Sequence, residues 1–266
     1  MAKLLTPEQA TRAIYFDFEG CKDEAPSLLG WSFVLEEGTE QFSQWIVEGA
    51  LANATRTVPH TDGTVRCGQS TLNEAVAHLV GLAEGQDRLI VSWARHDLEM
   101  IERYVVEPEL LERARTRFMN ALPTARQWLK RAHPQLELER TRSGKHRLCR
   151  YCEIMGMRVP EKYDQDVAAK GIKATRAAIA RYGSYAAIPQ GNGARGSWKA
   201  VLGHNRLDCR NACEVVTRSS SRQAAVATRR SRRPAPPWAR RPGAARACGR
   251  CAARPHARAA GGRSRP

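Results

Sequence analysis

Apolar residues come in three short runs near the start of the chain, Ala13–Phe18, Leu28–Leu35 and Phe42–Val47, separated by turn-forming or charged segments such as Glu36-Glu-Gly38. Runs of this length, bounded in this way, predict three antiparallel strands in a meander. Over Ser70–Ala83 the period changes, with a capping Ser or Thr ahead of apolar residues at helical spacing, and the segment reads as a helix. A buried strand at Arg88–Trp93 comes next. It is followed by a helix over Asp97–Val106 with acids near its start, a strand from about Arg117 to Ala121, and a helix over Pro123–Ala132. Leu148–Met157 and Ala174–Tyr182 repeat the helical pattern, Gly183–Ser197 reads as a loop, and a last helix runs from about Trp198 to Val216. Three antiparallel strands followed by alternating helices and strands imply an α/β fold with a mixed five-stranded sheet flanked by helices.

The 266 residues are 42% hydrophobic, enough for a normal core. No apolar run approaches a bilayer span, and Met1-Ala-Lys-Leu-Leu-Thr-Pro-Glu8 lacks the apolar stretch of a signal peptide, so no membrane partner and a cytoplasmic location are expected. Eight cysteines at irregular spacing fit a reducing compartment better than a disulfide framework. The net charge of +16 is unevenly placed. Thr217–Pro266 holds 14 of the 43 basic side chains and none of the 27 acidic ones, which leaves the preceding 216 residues near neutral, at +2. The expected division is therefore a folded domain over 1–216 and an Arg/Ala/Pro-rich tail over 217–266 that cannot bury enough apolar surface to order itself. The tail reads either as a basic arm for nucleic acid or as a solvated extension.

The candidate chemistry starts in the first strand. In Arg12-Ala-Ile-Tyr-Phe-Asp-Phe-Glu-Gly20, Asp17 and Glu19 lie two apart and share a face, opposite the face of Ile14, Phe16 and Phe18. Neighbouring carboxylates repel, and a bound cation is the simplest relief; an exposed sheet face is the alternative. Asp97 stands at a strand-to-helix junction, where α/β proteins place functional groups, and could equally cap the helix. In Gly203-His-Asn-Arg-Leu-Asp-Cys209, His204 and Asp208 are stacked on one helix face.

This ordered set resembles the DEDD 3′–5′ exonuclease superfamily of the ribonuclease H-like fold, and within it the bacterial ribonuclease H-like (YprB-like) branch. Asp17 and Glu19 match the first motif, Asp97 the second and Asp208 the third, and His146–Pro160 is similar to the helix between the second and third. The resemblance covers about Arg12–Val216. It implies a metal-dependent nuclease acting on DNA or RNA from a single-stranded 3′ end. Asp17, Glu19, Asp97 and Asp208 would hold two Mg²⁺ or Mn²⁺ ions about 3.5–4 Å apart that clamp the attacking and leaving oxygens of a phosphodiester. By the same resemblance, Asp17 would bridge both ions and His204 would orient or deprotonate the attacking water. Two departures stand in the motifs: His204 has the spacing from Asp208 that the family's Tyr version uses, and Ala94-Arg-His-Asp97 lacks the usual Asn-x-x-Phe-Asp. The alternatives are a ribonuclease H-like nucleic-acid-binding module with little catalysis, or a fragment of a larger nuclease.

Around the motifs, Trp198, Lys199 and Arg206 are the candidates for contact with nucleic acid, while Trp93 reads as core and His96 as a possible participant beside Asp97. Cys149-Arg-Tyr-Cys152 and Cys248-Gly-Arg-Cys251 together would make a four-thiolate zinc site, but the first pair reads better as buried thiols in a helix, as do Cys209 and Cys213. Asp164 and Asp166 are a rival acidic pair, better read as helix caps.

Overall fold

A computed structural model of the chain describes residues 3–54, 58–60, 63–65, 67–139, 146–160 and 167–231. The first element is a short helix that the apolar pattern does not announce, α1 (Pro7–Arg12). It is set by a capping box in which Thr6 and Gln9 exchange side-chain and backbone hydrogen bonds and by Pro7 in the first turn. The meander follows: β1 (Ile14–Glu19), β2 (Leu28–Val34) and β3 (Glu40–Ile46), each antiparallel to the one before. The predicted turn between β2 and β3 needs glycine, since Gly38 adopts φ 87° while its N–H donates to the Leu35 carbonyl.

A 3₁₀ turn (Gly49–Leu51) leads to a small hairpin, β4 (Val58–His60) with β5 (Gly63–Val65), and to β6 (Cys67–Gln69), which pairs parallel to β3. Helix α2 (Leu72–Gly85) starts at Thr71, whose capping box with Glu74 matches the predicted signal. Then come β7 (Ile90–Ser92), α3 (His96–Tyr104), α4 (Pro108–Arg117), β8 (Phe118–Asn120), α5 (Leu122–Ala132), α6 (Leu148–Ile154), α7 (Val167–Tyr182) and α8 (Gly193–Ser231).

The main sheet has the order β6-β3-β2-β1-β7-β8, with β7 and β8 parallel to β1. The mixed α/β architecture and the antiparallel-then-parallel sequence are as expected for a ribonuclease H-like arrangement, but the sheet has six strands rather than five. The sixth, β6, is only three residues long and has no apolar alternation to reveal it. Helix α4 was also missed, although Pro108 and Glu109 in its first turn and Leu110 and Ala114 on its buried face are helix signals. α7 begins earlier than predicted, and α8 begins five residues earlier, where the Asn192 side chain accepts from the Ala194 N–H.

Both faces of the sheet are covered. On one, Ile14, Phe16, Leu29, Trp31 and Phe33 pack with Ala75, Val76, Leu79 and Val80 of α2 and with Ile101, Leu110 and Ala114 of α3 and α4. On the other, Tyr15 and Val91 meet Ala212 and Val216 of α8. β2 alternates large and small side chains: Leu29, Trp31 and Phe33 face α2, while Gly30 and Ser32 lie on the opposite side, which lets α8 approach the sheet closely. The stripe that α8 buries is Trp198, Val201, Leu202, Asn205, Cys209, Ala212, Val215, Val216, Ser219 and Ser220, a helical period sustained for six turns.

That stripe continues past Thr217, where Ser219 and Ser220 are buried and the Arg222 guanidinium lies 5.9 Å from the Trp128 ring centre. Residues 232–266, including Cys248 and Cys251, lie outside the described residues, as do Asp164 and Asp166. A chain ending at Val216 should therefore melt about 4 °C or more below one ending at Ser231, the shift that 1–2 kcal/mol produces in a domain of this size. Equal melting temperatures in a thermal scan would contradict the packing assigned to this last stretch.

Candidate metal centre

Because β1 is buried on both faces, its Tyr15–Asp17–Glu19 side points at α8 rather than at solvent. The two halves of the site meet there. His204 Nδ1 donates to Glu19 Oε1 at 2.8 Å and lies 3.5 Å from Asp208 Oδ2. Glu19, His204 and Asp208 thus bring ligand atoms within 4.8 Å of one another, and among the described residues this is the group whose donors are close enough to grip one metal ion. Asp97 reaches the same place from the first turn of α3, after β7, and its Oδ1 accepts from the Phe18 N–H at 3.4 Å. Asp17, Asp97, His204 and Asp208 line a pocket of about 310 Å³ together with Trp93, His96, His146, Arg147 and Cys149.

Burial and mutual repulsion shape the charges. Burial, then the charges of Glu19, Asp208 and Asp97, raise the Asp17 pKa well above the usual carboxylate range, against a hydrogen bond from Asn205. Burial lifts Asp208 to about 7, with His204 opposing and Glu19 and Asp97 adding to the rise. Burial also lifts Asp97 to about 6, restrained by the Phe18 N–H and the Ser92 hydroxyl. For His204, burial works against the charged ring, but the hydrogen bond to Glu19 and the charges of Glu19 and Asp208 outweigh it, and its pKa is raised. Burial and the crowding of like charges thus work against ionising the acids, a cost that a bound cation would offset. Oxygen donors beside one imidazole form a set that a divalent cation fits.

The site residues expected from the sequence do not all behave as expected. The four acids and His204 converge, but Asp17 is turned toward Asn205 of α8, whose Nδ2 donates to Asp17 O at 2.9 Å and to Oδ2 at 3.1 Å. Trp198 is fully buried, with Nε1 donating to the Ala54 carbonyl at 2.8 Å, so its ring is in the core and not on a surface where a base could stack. Arg206 lies over the Phe42 ring, 5.4 Å from its centre, and is absent from the pocket wall. Two residues after His204 on a helix, its side chain projects well away from the acids. Lys199 is exposed.

Compared with protein-family models, curated proteins and solved structures, the chain matches none.

Two roles at the site escaped the sequence reading. Trp93 packs against the core as its strand position implies and also lines the pocket, its Nε1 donating to the His146 carbonyl and its ring meeting Tyr151 edge-on. Asn205 is a buried amide on α8 and so needs a buried partner, which its place in the sequence does not identify. Of the cysteines read as buried thiols, Cys152 and Cys209 are buried and Cys149 and Cys213 are partly so.

The raised pKa values set a pH dependence. Free carboxyls titrate near 4, so between there and about 7 the folded protein holds protons that the unfolded chain has lost, and stability falls as pH rises. His204 acts in the same sense, since its stabilising charge is lost as pH passes its raised folded pKa. In chelator, the melting temperature should drop from about pH 5 to about pH 8 more for the unaltered protein than for Asp208→Asn. A steeper drop in the variant would contradict the charge assignment.

Proposed function

We propose that this protein is a divalent-metal-dependent phosphodiesterase of the DEDD type, trimming DNA or RNA from a single-stranded 3′ end. The observation that carries the reading is the Glu19–His204–Asp208 group, with donor atoms within 4.8 Å, beside Asp17 and Asp97 in one pocket. Two Mg²⁺ or Mn²⁺ ions bound there would supply Lewis-acid stabilisation of the attacking and leaving oxygens.

The protein's own part is to hold the acids in place and to manage one proton. Asp17, Glu19, Asp97 and Asp208 provide hard oxygen ligands from three separate elements, β1, α3 and α8, so that movement of any one is resisted by the packed sheet. His204, hydrogen-bonded to Glu19, would take the proton of the attacking water; the water oxygen would bond to phosphorus as the P–O ester bond breaks, and the proton would pass on to the leaving oxygen. His146 and Arg147 line the same pocket as the acids, and their basic side chains would suit an anionic backbone.

End-labelled single-stranded DNA and RNA incubated with Mn²⁺, Mg²⁺ or chelator test the reading. A metal-dependent ladder shortening from the 3′ end is expected, and Asp208→Ala should slow it about a thousandfold or more, the loss of several kcal/mol of transition-state stabilisation. No cleavage by folded protein under any metal would overturn the reading in favour of a non-hydrolytic binding module.

A further inference from the structure

A short relay of buried amides runs across the sheet to Asp17. In the strand register Asp17 of β1 stands opposite Gly30 of β2, and Gly30 stands opposite Gln44 of β3, so the three residues form one row. Gly30 leaves the middle of that row open, and the side chain of Asn205 enters it from α8. A Cβ at position 30 would lie 1.8 Å from Asn205 Oδ1 and 2.7 Å from its Cγ, so no side chain larger than hydrogen fits while Asn205 is there. Gln44 Nε2 donates to the Leu202 carbonyl at 2.8 Å and to Asn205 Oδ1 at 2.9 Å, and Asn205 Nδ2 donates to both the carbonyl and the carboxylate of Asp17.

The direction of this relay is set at both ends. A backbone carbonyl only accepts, so Leu202 O forces the Gln44 amide nitrogen toward α8, and Asp17 O forces the Asn205 nitrogen toward β1. Both amides are almost wholly buried, Gln44 at 1% and Asn205 at 0% exposure. Packing alone does not call for them, because an aliphatic residue at 205 would serve the α8 stripe as well. What only an amide supplies is two N–H donors, one that fixes the backbone of residue 17 and one that fixes its carboxylate.

We propose that Asn205 is a positioning residue for Asp17: the Gln44–Asn205 relay holds the Asp17 carboxylate in the pocket beside the Glu19–His204–Asp208 group, and Gly30 provides the space for it. The proposal rests on the reading of this pocket as a cation centre. Three elements, β2, β3 and α8, then contribute residues that never touch the metal and still set its affinity. Outer partners of this kind typically change metal affinity ten- to a hundredfold when removed.

The test is Mn²⁺ titration followed by the electron paramagnetic resonance of the free ion, on the unaltered protein and on Asn205→Ala, Gly30→Ala, Asp17→Ala and Thr175→Ala, with circular dichroism to establish folding. Thr175, buried on α7 and bonded to the Gly171 carbonyl, is the control for loss of a buried polar group away from the relay. Asn205→Ala and Gly30→Ala should each weaken Mn²⁺ about tenfold or more, with Thr175→Ala unchanged. If Asn205→Ala does not fold, Gln44→Met removes the outer link at nearly constant volume and carries the same expectation. Folded relay variants that bind Mn²⁺ as the unaltered protein does, while Asp17→Ala does not, would overturn the positioning role and leave the metal site standing. An unaltered protein that binds no Mn²⁺ would overturn the site and the relay together, and one that binds it just as Asp17→Ala does would overturn the relay alone.

Discussion

The hydrogen bond between His204 and Glu19 joins residues 185 apart in the chain and holds the site together. Four carboxylates at the end of one strand would repel one another and drive α8 away from the sheet if nothing offset their charge. His204 sits among them, close to Glu19 and to Asp208, and one turn of the same helix supplies Asn205 to Asp17. α8 is therefore both the source of the fourth acid and the element that restrains the cluster. Its long buried stripe anchors it against the sheet, and burial, added to by the neighbouring charges, raises the pKa values of Asp17 and Asp208.

The sheet places the acids where they meet. β1 and β7 run parallel, so Glu19 and the start of α3 come out at the same edge of the sheet, and Asp97 is delivered beside Phe18. The small side chains at Gly30 and Ser32 bring α8 close enough for a short Asn side chain to reach β1. On the other face, large residues at Leu29, Trp31 and Phe33 fill the space beneath α2. Large on one side and small on the other, β2 sets the distance between the two halves of the centre.

Most of the scaffold was legible because it follows period and punctuation. The meander, the Gly38 turn, the Thr71 cap and the periodic helices depend on local chemistry. β6 did not announce itself, since three residues added to an edge show no pattern of their own. The acids Asp17, Glu19, Asp97 and Asp208 were legible as an ordered set, and their convergence follows from the topology. The tryptophan at 198 was misjudged because a residue just after a Gly-rich stretch reads as exposed, whereas α8 starts earlier and carries Trp198 onto its buried face. Asn205 was overlooked for a related reason: its role depends on the absence of a side chain at Gly30, on a strand 175 residues away, and no local pattern reports such a pairing.

Whether the acids and His204 hold a cation can be read from the anomalous scattering of Mn²⁺ in crystals of this protein. A peak bounded by Glu19, Asp208 and His204, with the Asp17 carboxylate beside it, is expected. Saturating Mn²⁺ with no anomalous peak in that pocket, or with peaks only elsewhere on the protein, would contradict a cation centre there.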